Sequence, residues 1–476
     1  MTGMTFNGVE KDYVKVLRGR ERPPWAPVER ELIEVTGHPG GYLSNTKVKP
    51  RIITVPILIQ ANDFADLQKL KEDVADWLIT EAPEELIFDD EPDRIYYAVV
   101  EGELNLNEIV RVGYGVIRFI CPDPYKYSPE QTKLFPSDAV NLTNDGTADA
   151  KPIFELEVLK PVTFAMVQNH NEEYMMIGRP TDVDEEVVDA KRLLLDEDGS
   201  TLSTWDKTPI KIEGDVGGEF STDGAGITAP TYGTSTRWHG PALIKEVDPV
   251  QDFEIEMRFQ LQTNAVSETG RIEFYMFDEG MVELGKMSII DNSIYVERRI
   301  AEGRIGPFVE DFQNYIISSR NYQYEWDNFP GLVRVRRTGN KFEFYVARIG
   351  GDGVHRWPLT ASYTVSKSEY LGRLKYIQIH IGKHANSPSP HTNRIVSIKA
   401  YELHEETTDK TQYIAYPGDL IRFDHVDDEI MVNGEDRKDL KDFGSNYFKL
   451  AKGVNQLIVH PADSFDVKCK YRRRFR

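Results

Sequence analysis

The strongest constraint on the fold is an alternation of apolar and polar residues with a period of two. Between residues 253 and 261 every odd position is apolar and every even position is charged or polar. Successive side chains of a strand point to opposite faces, so this run predicts a strand with one buried face. Similar runs recur at 271–277, 293–298, 332–337, 341–347, 376–381 and 395–403. Residues from about 196 to 405 are therefore predicted to form a jelly-roll sandwich.

An earlier stretch, residues 51–123, adds a single short helix to this β-rich pattern. A strand-like run at 51–60 precedes a segment with one apolar helical face, formed by Phe64, Leu67, Leu70, Val74 and Trp77. Asn62 or Asp63 can cap the start of this helix. Further strand-like runs follow and end at Cys121-Pro-Asp-Pro-Tyr125. One helix without βαβ repeats predicts a mainly β fold of the β-rich α+β type.

The strands around the predicted jelly roll suggest that it interrupts another domain. The runs at 152–158, 162–167 and 173–177 are too few to close a sandwich. The chain after Glu406 again contains a few strands, with a hairpin turn at Asn433-Gly434. The acidic region at 182–200 suits an insertion point. We predict an N-terminal domain at 1–130, a discontinuous C-terminal sandwich at 131–195 and 406–476, and an inserted domain at 196–405.

Charge and composition exclude several classes of protein. A formal net charge of -21 opposes tight binding of nucleic acid. Two cysteines, Cys121 and Cys469, exclude a disulfide framework and an all-cysteine metal site, so we expect both to be small buried residues. The sequence has neither an apolar run of membrane-spanning length nor a signal-peptide core near its start, so we expect no membrane insertion.

The inserted region contains four of the six tryptophans, Trp205, Trp238, Trp326 and Trp357. Saccharide sites pair a flat aromatic ring with polar side chains, because a sugar presents C–H faces as well as hydroxyls. Trp238-His239, Trp326-Asp327 and His355-Arg-Trp357 offer such pairs. The predicted saccharide-binding residues are Trp238, His239, Trp326, His355 and Trp357. Trp238 and Trp357 are favoured because their neighbours suggest loops, whereas the alternative for each tryptophan is a place in the core.

No catalytic residue is assigned. Glu254 and Glu256 lie on one face of a predicted strand, as the two acids of a glycosidase would. That face is expected to be exposed to solvent, and the further acid typical of jelly-roll glycosidases is replaced by Arg258 and Phe259. No cofactor is predicted. Acidic loops at 196–200 and 350–353 leave Ca²⁺ possible in the inserted domain, although neither has a full set of ligands.

Several motifs resemble those of a known family when their order is considered. The strand, helix, acidic elbow at 81–93 and final strand ending in Cys-Pro-Asp-Pro-Tyr-Lys-Tyr-Ser128 resemble the N-terminal domain of distal tail proteins from siphophages of Gram-positive hosts. Tyr416-Pro-Gly-Asp419, Val432-Asn-Gly434 and residues 448–455 resemble the C-terminal domain of that family. Residues 232–241 look like part of carbohydrate-binding modules in phage tail proteins.

This resemblance implies a structural component of the virion tail tip, assembled in the host cytoplasm. The family forms a hexameric ring that joins the tail tube to a tail-tip hub related to tail-associated lysins. Galectin-like domains on the outside of the ring often carry a receptor-binding protein. The insertion implies binding to host cell-wall polysaccharide. Six chains would carry 6 × -21 = -126 formal charges, so DNA would pass through the lumen without specific binding. The alternatives are a free cell-surface or secreted lectin and a jelly-roll glycosidase.

Overall fold

The structure is a computed structural model, which describes residues 3–181, 186–206, 212–308, 315–319, 326, 328–366, 370–404 and 410–476. It is mainly β, as predicted. Three large hydrophobic cores are present in the described residues, one in each of the regions 4–121, 140–177 with 415–469, and 195–400. No helix among the described residues is both long and apolar enough to cross a membrane.

The N-terminal domain has a seven-stranded sheet with one helix packed on it. Its strands are β1 (Met4–Phe6), β2 (Val14–Val16), β3 (Val28–Glu34), β4 (Gly41–Val48), β5 (Arg51–Gln60), β6 (Glu84–Phe88), β7 (Tyr96–Val100), β8 (Asn107–Ile109) and β9 (Val112–Cys121), and its helix is α1 (Phe64–Leu78). The sheet order is β1-β6-β7-β9-β5-β2, with β8 also paired to β9. Strands β3 and β4 form a separate hairpin whose residues are all exposed.

Local sequence explains both the long central strand and the helix. Alternate residues of β5, from Ile53 to Ile59, are fully buried. Asp63 caps α1 by accepting a hydrogen bond from the Asp66 amide at 2.8 Å, as its sequence predicts. Trp77 closes the helix onto the sheet, because its indole N–H donates to the Phe6 carbonyl at 3.0 Å.

The C-terminal domain is a two-sheet sandwich built from both sides of the insertion. Before the insertion come β10 (Lys126–Tyr127), β11 (Gln131–Leu134), β12 (Ala139–Asn144), β13 (Pro152–Val158), β14 (Phe164–Asn169), β15 (Tyr174–Gly178) and β16 (Glu186–Val188). After the insertion come β33 (Lys410–Gln412), β34 (Leu420–Asp424), β35 (Glu429–Val432), β36 (Glu435–Asp436), β37 (Gly453–His460) and β38 (Phe465–Tyr471). One sheet has the order β12-β37-β14-β15 and the other β11-β38-β13-β34-β35-β36. Strands β16 and β33 form a short parallel pair at the junction where the chain enters the insertion and where it comes back from it. Residues 182–185 of the acidic region lie outside the described residues.

The insertion is a sandwich of two large sheets, in which the described strands pair antiparallel except for the short parallel pair of Asp215–Val216 with Trp238–Gly240. Its strands are β17 (Lys191–Glu197), β18 (Asp215–Val216), β19 (Glu219–Thr222), β20 (Ile227–Thr231), β21 (Trp238–Gly240), β22 (Ala242–Val250), β23 (Phe253–Gln262), β24 (Gly270–Asp278), β25 (Glu283–Asp291), β26 (Arg299–Ile305), β27 (Tyr315–Ser319), β28 (Phe329–Thr338), β29 (Lys341–Ile349), β30 (His355–Thr364), β31 (Leu374–His384) and β32 (Thr392–Leu403). Sheet I has the order β19-β20-β32-β23-β28-β29-β30, with β17 also on β32. Sheet II has the order β18-β21-β31-β24-β25-β26-β27, with β22 also on β31.

The apolar positions of the alternating runs form the core between these two sheets. The odd residues of β23 from Phe253 to Leu261 are at most 1% exposed, as the alternation predicts. Thr338 and Lys341 are paired across the Gly339-Asn340 turn between β28 and β29.

The chain returns to the C-terminal domain after β32. It forms β33–β38 there and ends with β39 (Arg474–Phe475). Cys469 on β38 and Cys121 on β9 are fully buried, and burial raises the pKa of the Cys121 thiol to about 12.

The outer face of sheet I packs against the C-terminal domain. Arg334 of β28 makes a bidentate ion pair with Glu435 of β36, with N–O distances of 2.7 and 2.6 Å. The His355 amide donates to the Gly434 carbonyl at 2.9 Å. Sheet I is therefore joined to the rest of the chain, whereas sheet II lies on the opposite side of the sandwich.

Candidate functional site

Trp238 lies at an outer edge of sheet II and is half-buried. It is paired in register with His384 of β31, so both side chains point away from the core. Their rings meet edge to face at 5.4 Å between centroids. The Arg271 guanidinium lies 5.0 Å from the centroid of the indole ring. The result is an aromatic surface stacked on a buried cation, with one side open to solvent.

Beneath this surface, the outer face of sheet II carries a network of buried charges. Ile272, Phe274 and Met276 of β24 point into the core, so the intervening residues point outward. Glu273 lies at the centre of the network and is fully buried. Its carboxylate accepts hydrogen bonds from Tyr275 Oη and His380 Nδ1, both at 2.8 Å, and contacts Arg271 Nε at 3.0 Å and Lys286 Nζ at 3.3 Å.

The surroundings fix the protonation states within this network. Burial by itself would raise the pKa of Glu273, but the charges of Arg271 and Lys286 outweigh burial and hold this pKa well below its usual range. Burial lowers the pKa of His380 to about 4, so its ring is neutral at pH 7. Burial raises the pKa of Tyr275 well above its ordinary value. Glu273 is therefore a paired anion that accepts hydrogen bonds from neutral groups and cations.

Glu213 covers the network from the solvent side. Its carboxylate contacts Lys286 Nζ at 2.8 Å and also pairs with Arg304. The Glu213 carbonyl accepts from Arg271 Nη2 at 3.0 Å, and its amide donates to Tyr275 Oη at 3.0 Å. The ions of this face are thus paired with each other and closed off, so the network supports Trp238 through Arg271 rather than offering an open surface.

Trp357 and His355 lie on β30, at the opposite lateral edge of the sandwich from Trp238. Trp357 is 39% exposed, and the Arg348 guanidinium lies 5.6 Å from its ring centroid. The His355 ring exchanges a 2.9 Å hydrogen bond with Tyr345 Oη, and burial lowers its pKa to about 4. The two favoured tryptophans are therefore not brought together into one site.

Two of the predicted saccharide-binding residues are turned inward. Trp326 is only 1% exposed and belongs to the hydrophobic core, where its indole N–H donates to the Trp357 carbonyl at 3.4 Å. His239 is 2% exposed, and its Nδ1 is 2.9 Å from the Arg237 carbonyl oxygen. Neither ring reaches solvent, so the structure shows no exposed surface of Trp326 or His239 for a sugar, and their contact with saccharide stays a prediction. Asp327, the expected polar neighbour of Trp326, lies outside the described residues.

The acids considered for catalysis do not lie on a solvent face. Glu254 is 8% exposed and pairs with Lys191 at 3.2 Å, because the outer face of sheet I faces the C-terminal domain. Glu256 lies 3.9 Å from Arg334, which itself binds Glu435. Burial raises the pKa of Glu256. The expectation of an exposed carboxylate pair is therefore wrong.

The two acidic loops use their carboxylates in local contacts. Asp352 forms a bidentate pair with Arg356 at 2.9 and 2.7 Å. Glu197 accepts from the Trp205 indole N–H at 2.9 Å, and Asp198 accepts from the Ser200 amide at 2.9 Å. Among the described residues, no group of three or more His, Cys, Asp or Glu side chains is placed to hold a metal ion.

The charged network was missed at the sequence level, although its signal is present. Arg271, Glu273 and Tyr275 alternate with core residues along β24, and Gln378 and His380 do the same along β31. Such alternation ordinarily indicates a solvent-facing side. Only the three-dimensional arrangement shows that this polar side is buried.

Comparison with known proteins identifies the two ends of the chain. A phage tail protein RIFT-related domain matches residues 10–121, and the C-terminal domain of a siphovirus-type tail component matches residues 382–475. The two ends of the chain therefore carry domains of siphophage tail proteins. The chain is accordingly a structural component of a phage tail. The second match begins within β31, so it includes the last part of the insertion as well as the C-terminal domain.

Several solved structures are similar to parts of this tail protein. The phage SPP1 Dit protein is 20% identical over 38% of this chain and 76% of its own, with a TM-score of 0.35. The CBM2 module of the evolved Dit from Lactobacillus casei BL23 phage J-1 is 14% identical over 46% of this chain and 100% of its own, with a TM-score of 0.39. A legume lectin-like domain from Entamoeba histolytica is 13% identical over 39% and 88%, with a TM-score of 0.28. No curated protein matches the chain.

Proposed function

We propose that this tail protein forms a hexameric ring between the tail tube and the tail-tip hub, and that its insertion binds saccharide on the host surface. The observation that carries the ring is the hairpin of β3 and β4. Leu32, Ile33, Tyr42 and Leu43 are each more than half exposed on this hairpin. Apolar residues on a projecting arm favour burial against another chain. A neighbouring copy of the same chain would cover the arm in a ring.

The proposed ring explains how an acidic protein can serve a tail that carries DNA. Each chain has a formal charge of -21. A negative lumen would repel phosphates and let the genome pass without binding. The tail tube protein and the hub would occupy the two ends of the ring, and a separate receptor-binding protein could attach to its outside. The same assembly places this chain at the tail tip of the virion.

The ring is tested by measuring the mass of the full-length protein in solution. Six copies of 54.5 kDa give 6 × 54.5 = 327 kDa. Leu32 and Leu43 face each other across the hairpin, and replacing both by serine should give monomers with an unchanged melting temperature. Lys47→Ser on the same hairpin is the matched control and should leave the oligomer intact. A strictly monomeric wild-type protein, with no ring in electron micrographs, would refute the proposal.

Saccharide binding is supported by the partly exposed tryptophans of the insertion. Trp238 offers an indole face held by Arg271, and Trp357 offers a second ring at the other edge. The full-length protein is expected to bind cell-wall polysaccharide from a Gram-positive host. Because the two rings are far apart, Trp238→Ala and Trp357→Ala are tested separately. Failure of the wild-type protein to bind any wall glycan would remove this part of the proposal and leave the ring unaffected.

A further inference from the structure

A polar groove opens at the end of the inserted sandwich that points away from the chain junctions. Strand β32 runs from Thr392 at the groove to Leu403, where β17 pairs with it beside the C-terminal domain. Twelve residues of strand span about 35 Å at roughly 3.3 Å per residue. The groove therefore lies far from the covered face of sheet I, at the end where an extended ligand could approach. Its volume is about 270 Å³.

The lining of the groove combines one aromatic ring with several hydrogen-bonding groups. Tyr232 supplies the ring, which packs on the hydrophobic core on one side. Thr228, Thr392 and Ser389 contribute hydroxyls, and His391 contributes an imidazole. Rings of this kind contact C–H faces, whereas hydroxyls and imidazoles exchange hydrogen bonds with alcohols.

Asn393 supplies a buried amide to the lining of the groove. The residue is 6% exposed. Its Nδ2 donates to the Gly382 carbonyl at 3.4 Å and to Tyr232 Oη at 3.5 Å. Its Oδ1 accepts a hydrogen bond from no described residue. Buried polar atoms are ordinarily satisfied, so an unused acceptor beside a polar groove points to a donor supplied by a ligand.

The charges of the acid and the arginine that line the groove cancel, while the Lys383 ammonium lies 5.9 Å from the Tyr232 ring centroid and donates to the Ser387 carbonyl at 3.2 Å. Asp223 and Arg394 form an ion pair across its rim, and Arg394 also donates to Gln260 at 3.0 Å. An anionic ligand would have to compete with Asp223 for the guanidinium. The volume falls just below the range of about 300–1,000 Å³ occupied by drug-sized ligands, which suits one small ring.

We infer that this groove holds a neutral pyranose ring, with Tyr232 against its C–H face and the Asn393 amide and neighbouring hydroxyls as hydrogen-bonding partners. The inference rests on the proposed saccharide-binding function and assigns it to a location that contains neither Trp238 nor Trp357. One ring of a longer wall polysaccharide would occupy the groove, while the rest of the polymer extends past the end of the sandwich.

The inference is tested with the full-length protein on an array of neutral and acidic bacterial wall glycans, followed by titration of the best binder. Tyr232→Leu keeps the packing on the core but removes the flat ring, and should weaken binding by about tenfold or more. Tyr232→Phe keeps the ring and should retain most of the affinity. His391→Ala, at an exposed position, should also weaken binding.

Matched controls separate the groove from general effects of substitution. Tyr295→Leu changes a tyrosine that is 82% exposed on another loop of the insertion, and His170→Ala changes an exposed histidine of the C-terminal domain. Both controls should bind like wild type, and all variants should keep the wild-type melting temperature. Wild-type binding that survives Tyr232→Leu and His391→Ala, or a preference for acidic glycans, overturns the inference but not the proposed function. Absence of wild-type binding to every glycan refutes both.

Discussion

Replacing Glu273 by glutamine tests whether the buried network on sheet II holds the insertion together. The substitution keeps the size of the side chain but removes its charge. Arg271 and Lys286, which are 2% and 0% exposed, would then lose their shared anion while remaining buried. His380 Nδ1 and Tyr275 Oη would face an amide in place of a carboxylate.

The expected cost follows from the burial of these groups. Removing one partner of a buried ion pair typically costs about 3–5 kcal/mol, because the remaining charge is uncompensated. Glu213 still contacts Lys286 at 2.8 Å, so one cation keeps a partner. We therefore expect the lower part of this range, about 3 kcal/mol. For a domain of about 200 residues, that corresponds to a fall in melting temperature of roughly 6–12 °C.

The melting temperature is measured by differential scanning calorimetry of the full-length protein. The unfolding transition that shifts in variants of the insertion is assigned to the insertion. Glu343→Gln is the matched control, since Glu343 lies in the same domain and forms a 3.5 Å ion pair with the half-exposed Lys341. It should change the free energy of unfolding by no more than about 0.5 kcal/mol. A change below about 1 kcal/mol in Glu273→Gln would show that the network contributes little, and the reasoning would then be wrong.

Three further predictions concern other parts of the molecule. Burial lowers the pKa of both His380 and His425 to about 4, so the unfolded chain binds more protons below pH 6.5. Stability should be fully present above that pH and fall by about 2 kcal/mol per histidine at pH 5, as measured by denaturant titration across this range. Trp326→Ala truncates a core side chain and should lower the free energy of unfolding by about 3–5 kcal/mol. Trp357→Ala should change the free energy of unfolding by less than about 1 kcal/mol. Equal effects of the two substitutions would contradict the different burial of the two rings. Glu435→Gln removes the bidentate ion pair between the insertion and the C-terminal domain. Amide hydrogen exchange should therefore become faster in β35 and β36. Unchanged exchange would count against a role of this pair in holding the two domains together.

Much of the secondary structure follows from local sequence. The alternation at 253–261 gives β23, because a strand in a sandwich must bury one face. The Asp63 cap starts α1 through a hydrogen bond within the same turn. One helical pattern among many short strand patterns was enough to predict the mainly β fold. The order of the motifs at the two ends of the chain was enough to predict the resemblance to phage tail proteins.

The environment of individual polar and aromatic residues depended on the tertiary structure. Glu254 and Glu273 both occupy positions that alternate with core residues, and local sequence treats such positions as exposed. Each is buried because a distant segment covers it: the C-terminal domain lies over one sheet, and Glu213 lies over the other. Trp326 and Trp357 likewise have similar polar neighbours, yet one is in the core and the other is partly exposed.

The sequence by itself determined most of the segments that form strands, because period and capping act over a few residues. The strand predicted at 293–298 is wrong, since these residues form a loop between β25 and β26. It also contained the tail-protein motifs at both ends of the chain. Only the tertiary structure decided which polar faces are covered, that Trp238 lies on Arg271, and that residues as distant as Asp223 and Asn393 line one groove. A sheet face becomes covered, and a groove forms, through contacts between segments that are remote in sequence. Neither the apolar periodicity of a strand nor a short sequence motif specifies such contacts.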